Sequence, residues 1–369
     1  MANTFLVRKM RLGTFHKKKK HLINKVKINF LSLFLKNRRG ADIDGNSIKS
    51  CLLIHDNSKI GDLIVLSALY RILARKGITL SILSCGTGHA FLKAHPHIEQ
   101  LFIKKSNSLT ETLKLRRQLR ERQFDVVLDP FETFPCFGHA LLLSGLRDSF
   151  VLGFDKWYKR YYSRYNPHDE QLHEHMSSRT NVIVRQLFGC DADDDYRYDI
   201  AIPADVEEAV SAFVGSSDVV VINPLGAKKI CRLSSEQMLL IHSWFAQHHP
   251  GLRIIYTGHP DDLSSIPVNN IETLPYPDFI YTVALTKLSK YVVSVDTALV
   301  HIASAFNRPM LALYPQARTV EYPSPLIWAP NNEYAQQIIS PTHFVSDIDA
   351  RTLVNGLESL MAGRMNATQ

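Results

Sequence analysis

The chain has 369 residues, 45% hydrophobic and 21% charged, which suits two globular domains of roughly 150 residues each and excludes a disordered, fibrous or membrane-embedded chain. Its net charge of +8 comes from residues 1–40, which hold 12 Lys and Arg and no acidic residue. The remainder carries 31 basic and 35 acidic residues, so its charge does not indicate nucleic-acid binding.

The basic leader, residues 1–49, has two alternative interpretations. The basic run 17–20 precedes an apolar run at 28–35 and further basic residues, and this pattern can lie on an anionic membrane surface. The alternative is a disordered, solvated tail. No stretch reaches the ~20 apolar residues of a membrane span, no signal-peptide pattern is present, and the five cysteines lack metal-ligand spacing. We therefore expect a cytoplasmic protein without a structural metal.

After the leader, short β-rich runs alternate with helical patterns, which predicts parallel sheets covered by helices on both faces. The first unit is predicted to open with a strand at 51–55 and a helix at 63–76 that ends at Gly77. Its later elements are strands at 80–83, 101–103, 126–128 and 150–154 and helices at 113–122 and 171–188.

The second unit is predicted to begin at a strand over 219–222, which places the domain boundary near Pro203 and gives domains of residues 50–203 and 204–369. It continues with strands at 253–256, 291–295 and 310–314 and helices at 234–248 and 279–288, with one further helix after residue 295.

The sharpest local signal is the segment 294–309. A strand ends at Val295, Asp296 can cap the next helix, and Asn307 with Pro309 ends that helix. The first backbone N–H groups of such a helix favour a phosphate, and open α/β sheets bind ligands at this edge. The alternative is that Asp296 is merely an N-cap and His301 an ordinary helix residue.

This segment resembles the signature of glycosyltransferase family 9, the bacterial heptosyltransferases, which runs D-T-G-x-x-H-x-A-x-A before a basic residue and proline. The resemblance implies that Asp296, Thr297, Ala298 and Leu299 lie at the donor diphosphate and sugar, with His301 in the same site. Ala298 stands where the family usually has glycine, which removes some backbone freedom.

The loop Lys59-Ile60-Gly61-Asp62 resembles the I-G-D that precedes an apolar helix in this family. The resemblance implies that Asp62 is the general base, which takes the proton of the acceptor hydroxyl as that hydroxyl attacks the anomeric carbon in an inverting transfer. Lys59 is expected beside the acceptor. The alternative is that Asp62 is a plain N-cap of the helix at 63–76.

The segment 222–236 partly resembles the N-P-G-A loop and K-R-W-P of the family, with Cys231, Leu233 and Ser234 replacing lysine, tryptophan and proline. The resemblance implies a cation that neutralises the leaving diphosphate. Lys228 or Lys229 is one candidate and Arg232 is the other, and the alternative is a solvated basic loop.

The segment 256–262 resembles the strand and G-G-P-x-E of the family. The resemblance implies that Gly258 lies in a donor-binding turn, where Asp261 or Asp262 accepts hydrogen bonds from the ribose hydroxyls. The alternative is an ordinary turn.

The stretch 156–164 interleaves four aromatic and four basic residues. Aromatic faces stack on sugars, while cations bind carboxylates and phosphates of a lipopolysaccharide core. We expect an acceptor-binding surface that includes Trp157, Lys159, Arg160 and Arg164. The alternative is a loop whose aromatic rings pack on a neighbouring helix.

Together, these segments keep the family's order, and the resemblance implies a GT-B fold, in which two Rossmann-like, doubly wound α/β domains face a central cleft. The first would bind the acceptor and the second the nucleotide sugar. The implied reaction is a metal-independent, cofactor-free, inverting transfer of heptose from ADP-L-glycero-D-manno-heptose to an anionic lipopolysaccharide inner core, by a protein on the cytoplasmic face of the inner membrane. The alternatives are another nucleotide sugar in surface polysaccharide assembly, or a non-catalytic member.

Overall fold

Two six-stranded parallel sheets organise the chain, which a computed structural model describes over residues 21–34, 42–55, 59–131, 136–154, 159–166, 174–189, 196–319 and 323–363. In the first sheet the strands lie in the order β3-β2-β1-β4-β5-β6. Their bounds are β1 (Ser50–Ile54), β2 (Thr79–Ser84), β3 (Ile98–Ile103), β4 (Val126–Asp129), β5 (Phe150–Phe154) and β6 (Arg164–Asn166).

The second sheet repeats this arrangement in the order β12-β11-β10-β7-β8-β9. Read from the β9 edge and counted from its own first strand, the second sheet has the order 3-2-1-4-5-6, as the first sheet has from its β3 edge, and this is the Rossmann order. The prediction of two doubly wound units is confirmed. The bounds are β7 (Val219–Asn223), β8 (Arg253–Tyr256), β9 (Glu272–Thr273), β10 (Tyr291–Val295), β11 (Met310–Tyr314) and β12 (Ala335–Ile339).

Helices cover both faces of each sheet. Within the described ranges, none of them combines the length and the apolar character needed to cross a membrane. The first-unit helices are α1 (21–32), α2 (Ile60–Val65), α3 (Ala68–Arg75), α4 (Thr87–Leu92), α5 (Leu109–Arg122), α6 (Phe137–Leu143) and α7 (Ser178–Phe188). The later helices are α8 (Ala204–Val214), α9 (Ser235–His248), α10 (Pro260–Leu263), α11 (Phe279–Leu288), α12 (Ala298–Ala305), α13 (Ser324–Ile327) and α14 (Ala350–Met361).

Within the described ranges, the buried apolar side chains form three clusters around the sheets. One covers the outer face of the first sheet and includes Ile28 of α1, and another covers the outer face of the second sheet with α9 and α14. The third lies between the sheets and joins residues of α2, α3, α11 and α12. Strands that are buried on both faces are apolar throughout. Runs such as 219–222 can therefore be predicted as strands from the sequence.

Two of the predicted helices have other bounds in the structure. The helix predicted at 63–76 is two helices, because Ser67 turns its hydroxyl to Ile64 O (2.6 Å) and accepts a hydrogen bond from Asp199 N (2.7 Å). The helix predicted at 171–188 begins at Ser178, and residues 171–173 lie outside the described ranges. The boundary near Pro203 falls at the N-cap of α8, between the two sheets, and the domain division remains a prediction.

Candidate active site

The candidate site lies where the strand order of each sheet reverses, at the carboxyl ends of β1 and β4 and of β7 and β10. Helices α2 and α12 begin there and pack against each other. A Cβ atom on Gly61 would lie 3.2 Å from His301 Cδ2 and 3.8 Å from Ala298 Cα. A side chain at position 61 would press on the other unit, so this glycine permits the close approach of the two helices.

A cavity of about 1630 Å³ opens between the two units beside this contact. Drug-sized ligands occupy pockets of roughly 300–1,000 Å³, so the cavity has room for a nucleotide sugar and part of a second substrate. Its lining from the first unit is Ile60, Ala90, Phe91 and Lys93, and the second unit contributes Asn223, Arg232, Thr257, Gly258, Asp262 and Leu299, among others.

Asp296 is the electrostatic centre of the site. Burial raises the pKa of this carboxyl to about 6, and Lys228 and Lys59 oppose that rise. Lys59 belongs to the first unit and Lys228 to the second, so both units bring positive charge to one carboxylate. Lys229 has no such effect on Asp296, which distinguishes the two adjacent lysines.

The first turn of α12 is capped by Thr297, whose Oγ1 accepts a hydrogen bond from Leu299 N (3.3 Å) and one from Asn223 Nδ2 (2.9 Å). The interpretation of Asp296 as the N-cap is therefore wrong. Its carboxylate is available for the cations, and the Cys231 thiol lies 4.0 Å from Asp296 Oδ2.

Cys231 occupies the position where the family resemblance predicts a lysine. Burial, and secondly the charge of Asp296, raise the pKa of its thiol to about 11. The thiol is therefore neutral at physiological pH and does not replace the missing positive charge. Lys228, three residues earlier, lies close enough to act on both Cys231 and Asp296.

Arg232 and Asp262 form a two-pronged ion pair with N–O distances of 3.0 and 3.1 Å. Arg232 Nε also donates to Gly226 O (2.8 Å), so the guanidinium is fixed at the cavity wall. Asp261 is 92% exposed beside His259 and does not line the cavity. From the sequence either carboxylate could bind the ribose, and in the structure Asp262 is the one that lines the cavity.

Asp62 is the third residue of α2, and only 5% of its surface is exposed. The N-cap of this helix is Lys59, so the interpretation of Asp62 as a plain N-cap is wrong. Asp62 is directly adjacent in sequence to Gly61 at the contact with α12, which places its backbone at the junction of the two units.

His301 is buried between the units rather than exposed to the cavity. Its ring lies 6.2 Å from that of Tyr198 and 5.9 Å from that of Trp328. Burial lowers the pKa of His301 to about 3, so the ring is neutral at physiological pH and packs against Gly61. Its assignment to donor binding stays a prediction.

The expected acceptor surface is only partly described, because Trp157 lies outside the described residues. Lys159 lies over the Tyr165 ring (4.7 Å), Arg160 is exposed, and Arg164 pairs with Asp42 (3.1 Å). Two aromatic residues of the same stretch, Tyr161 and Tyr162, are buried in the core. Tyr161 donates to Ile28 O of α1, which fits the alternative of packing on a neighbouring helix, whereas the Tyr162 ring lies against Gly153 of β5. The acceptor surface stays a prediction.

Three residues of the cavity wall were not identified from the sequence. Thr257 Oγ1 and Asn223 Oδ1 are buried atoms that find no hydrogen-bond partner among the described residues. Both residues follow or end a strand at the carboxyl edge, and this position was the available signal. Tyr276 stacks on Tyr281 with ring centroids 4.2 Å apart, in a loop without a recognisable motif.

We expect the stability of the protein to report the titration of Asp296. Its pKa rises from 3.8 to about 6 on folding, so the folded state binds more protons and stability falls as the pH increases between about 4 and 6. Asp296→Asn removes this loss, so the melting temperature of the variant minus that of the wild type is expected to increase over this pH window. Thermal melts from pH 4 to pH 8 measure the difference.

Asp261→Asn removes a carboxylate that is 92% exposed and controls for the loss of one surface charge. A difference for Asp296→Asn that stays constant with pH would contradict the assignment.

Comparison with known proteins identifies the family. The model of glycosyltransferase family 9 (heptosyltransferase) matches residues 264–347. The chain is 54% identical over 352 residues to "Putative lipopolysaccharide heptosyltransferase 4" of Escherichia coli strain K12, with 95% of this chain and 98% of the relative covered.

Two solved structures show the same fold. A family 9 glycosyl transferase from Veillonella parvula superposes with a TM-score of 0.71 at 15% identity, over 89% of this chain and 99% of that one. E. coli heptosyltransferase WaaC with ADP superposes with a TM-score of 0.64 at 18% identity, over 84% and 99% of the two chains. The predicted GT-B architecture is confirmed, and the chain belongs to glycosyltransferase family 9, the heptosyltransferases.

Proposed function

We propose that this glycosyltransferase transfers heptose from ADP-L-glycero-D-manno-heptose to an anionic inner-core lipopolysaccharide, with inversion at the anomeric carbon. The observation that carries the proposal is the convergence of Lys59 and Lys228, from different units, on Asp296 beside the cavity. Two relatives support the substrates: one is named a lipopolysaccharide heptosyltransferase, and WaaC was solved with ADP and with ADP-2-deoxy-2-fluoro heptose.

In the proposed complex the diphosphate lies at the first turn of α12, near Thr297, Ala298 and Leu299. Lys228 neutralises the charge that develops on the leaving ADP, because a cation fixed before reaction stabilises that charge without reorganisation. Arg232 is already paired with Asp262, so its charge is balanced within the protein. We therefore assign this pair to the nucleotide-binding wall of the cavity and not to neutralisation of the diphosphate.

Polar groups on the cavity wall are suited to the hydroxyls of the donor. Thr257 Oγ1 and Asn223 Oδ1 have no protein partner among the described residues, and both residues line the same cavity as Gly258 and Asp262. A buried polar group without a partner is costly, and a ligand hydroxyl would satisfy it. We assign these groups to the ribose or the heptose.

Asp62 is the proposed general base, and it takes the proton of the acceptor hydroxyl as the new glycosidic bond forms. Direct displacement by that hydroxyl, opposite the leaving ADP, gives inversion. Lys59 and the basic residues Lys159, Arg160 and Arg164, together with Trp157, are proposed to bind the anionic acceptor. We place the reaction in the cytoplasm, at the surface of the inner membrane.

A transfer assay tests the donor and the acceptor. Purified protein is incubated with ADP-heptose and a series of truncated core oligosaccharides, and ADP release is measured with and without EDTA. We expect release that depends on both substrates and is insensitive to EDTA. Transfer from a UDP- or GDP-sugar instead would overturn the donor, and no transfer from any donor would favour a non-catalytic role.

Asp62→Asn is expected to lower turnover by about 10²–10⁴-fold, because general-base catalysis contributes that much and the amide cannot accept the proton. The donor Kd is expected to change little, since the base acts on the acceptor. Single-turnover rates and ADP-heptose titrations measure the two quantities. Full activity of a stably folded variant would remove Asp62 from the mechanism.

Lys228→Met is expected to lower kcat/KM for the donor by about tenfold to hundredfold, since a hydrogen bond to a charged group contributes about 1.5–3 kcal/mol. Lys229→Met is the matched control, because both lysines are exposed neighbours and only Lys228 acts on Asp296. We expect the control to stay within about threefold of the wild type, as surface substitutions usually do. Equal losses in both variants would contradict the assignment.

A further inference from the structure

Helix α1 is attached to the first unit by one face. Ile28 is completely buried in the outer core of the first sheet, and Ser32 is 9% exposed. The Tyr161 hydroxyl donates a hydrogen bond to Ile28 O (3.1 Å), and Lys27 Nζ lies 5.7 Å from the centre of the Phe137 ring. This part of the basic leader is therefore held on the folded body.

On the side opposite Ile28, α1 and the turn that follows it expose an apolar face. Residues at positions 22, 26, 30 and 33 follow the spacing of one helix stripe, and Phe30 and Phe34 contact each other edge to face at 5.4 Å. A surface helix normally places polar residues on this side. Six exposed side chains form the face, with exposures of 43–68%: Leu22, Ile23, Val26, Phe30, Leu33 and Phe34.

The charge of the surrounding segment indicates which kind of partner covers this apolar face. Residues 1–40 carry 12 basic and no acidic residues, whereas the rest of the chain is net acidic. A second copy on the face would bring two basic segments together, and like charges repel. An apolar face within a basic segment matches a bilayer with anionic headgroups, which accommodates both features.

We propose that α1 lies in the plane of an anionic phospholipid bilayer, with this apolar face inserted at the boundary between headgroups and acyl chains. Because Ile28 and Tyr161 fix the helix to the first sheet, the contact would orient the whole first unit rather than tether it loosely. The proposal extends the cellular location proposed above, and vesicle binding measures it independently of sugar transfer.

The full chain is sedimented with phosphatidylcholine vesicles with and without phosphatidylglycerol. We expect binding only to the anionic vesicles, and at least a tenfold lower partition coefficient for the double variant F30S/F34S. The matched control is L109S/L113S, which removes two apolar side chains of α5 that are 57% and 46% exposed. It is expected to bind within twofold of the wild type.

Unchanged vesicle binding by F30S/F34S would overturn the proposal. So would light scattering that shows a wild-type dimer and a monomeric variant, because the face would then be an interface between copies. Transfer to a soluble, delipidated acceptor is expected to be equal in wild type and F30S/F34S, and this readout separates failure of membrane binding from failure of the proposed reaction.

Discussion

The close approach of α2 and α12 is the constraint on which the arrangement of the site depends. Gly61 has no side chain to hold His301 away, and the helix that follows β1 can therefore touch the helix that follows β10. Each helix starts at the carboxyl edge of its own sheet, where Rossmann-type units bind ligands. The contact brings the two edges together, with Asp62 on one side and Asp296 on the other.

Around this contact the ionisable groups differ in what they can do. His301 and Cys231 remain neutral near pH 7, since burial lowers the pKa of the first and raises that of the second. Arg232 and Asp262 neutralise each other at the cavity wall. Burial raises the pKa of Asp296 to about 6 against the opposing charges of Lys228 and Lys59, so this carboxyl changes its protonation close to neutral pH.

The sequence predicted the sheets better than the details of the site. Central strands such as β7 are apolar throughout and easily recognised, whereas the edge strand β12 contains Gln336 and Gln337, is partly exposed, and was not predicted. The motif positions led to the correct strand ends, but the sequence does not reveal which of two adjacent side chains faces the cavity. Asp261 and Asp262 are neighbours in α10, and Asp262 is the one that pairs with Arg232 at the cavity wall. Lys228 and Lys229 are also neighbours, and Lys228 is the one that acts on the pKa of Asp296.

Other features needed tertiary contacts to be seen. The spacing around His301 is the same whether its helix faces solvent, ligand or another domain, and only the structure places it against Gly61. Thr257 is an ordinary residue in the sequence, and it becomes notable because its buried hydroxyl has no partner within the described part of the chain.

The apolar cluster between the sheets has a consequence for the folding of the chain. Leu63 and Ile64 of α2 belong to the same cluster as Leu299 and Val300 of α12, so each unit completes the core of the other. Separating them would expose apolar surface on both, which opposes a wide hinge opening and favours cooperative unfolding of the two units. Although the architecture looks modular, the cluster between the sheets takes side chains from both halves, so exchange of one half between relatives is restricted by the packing of the other.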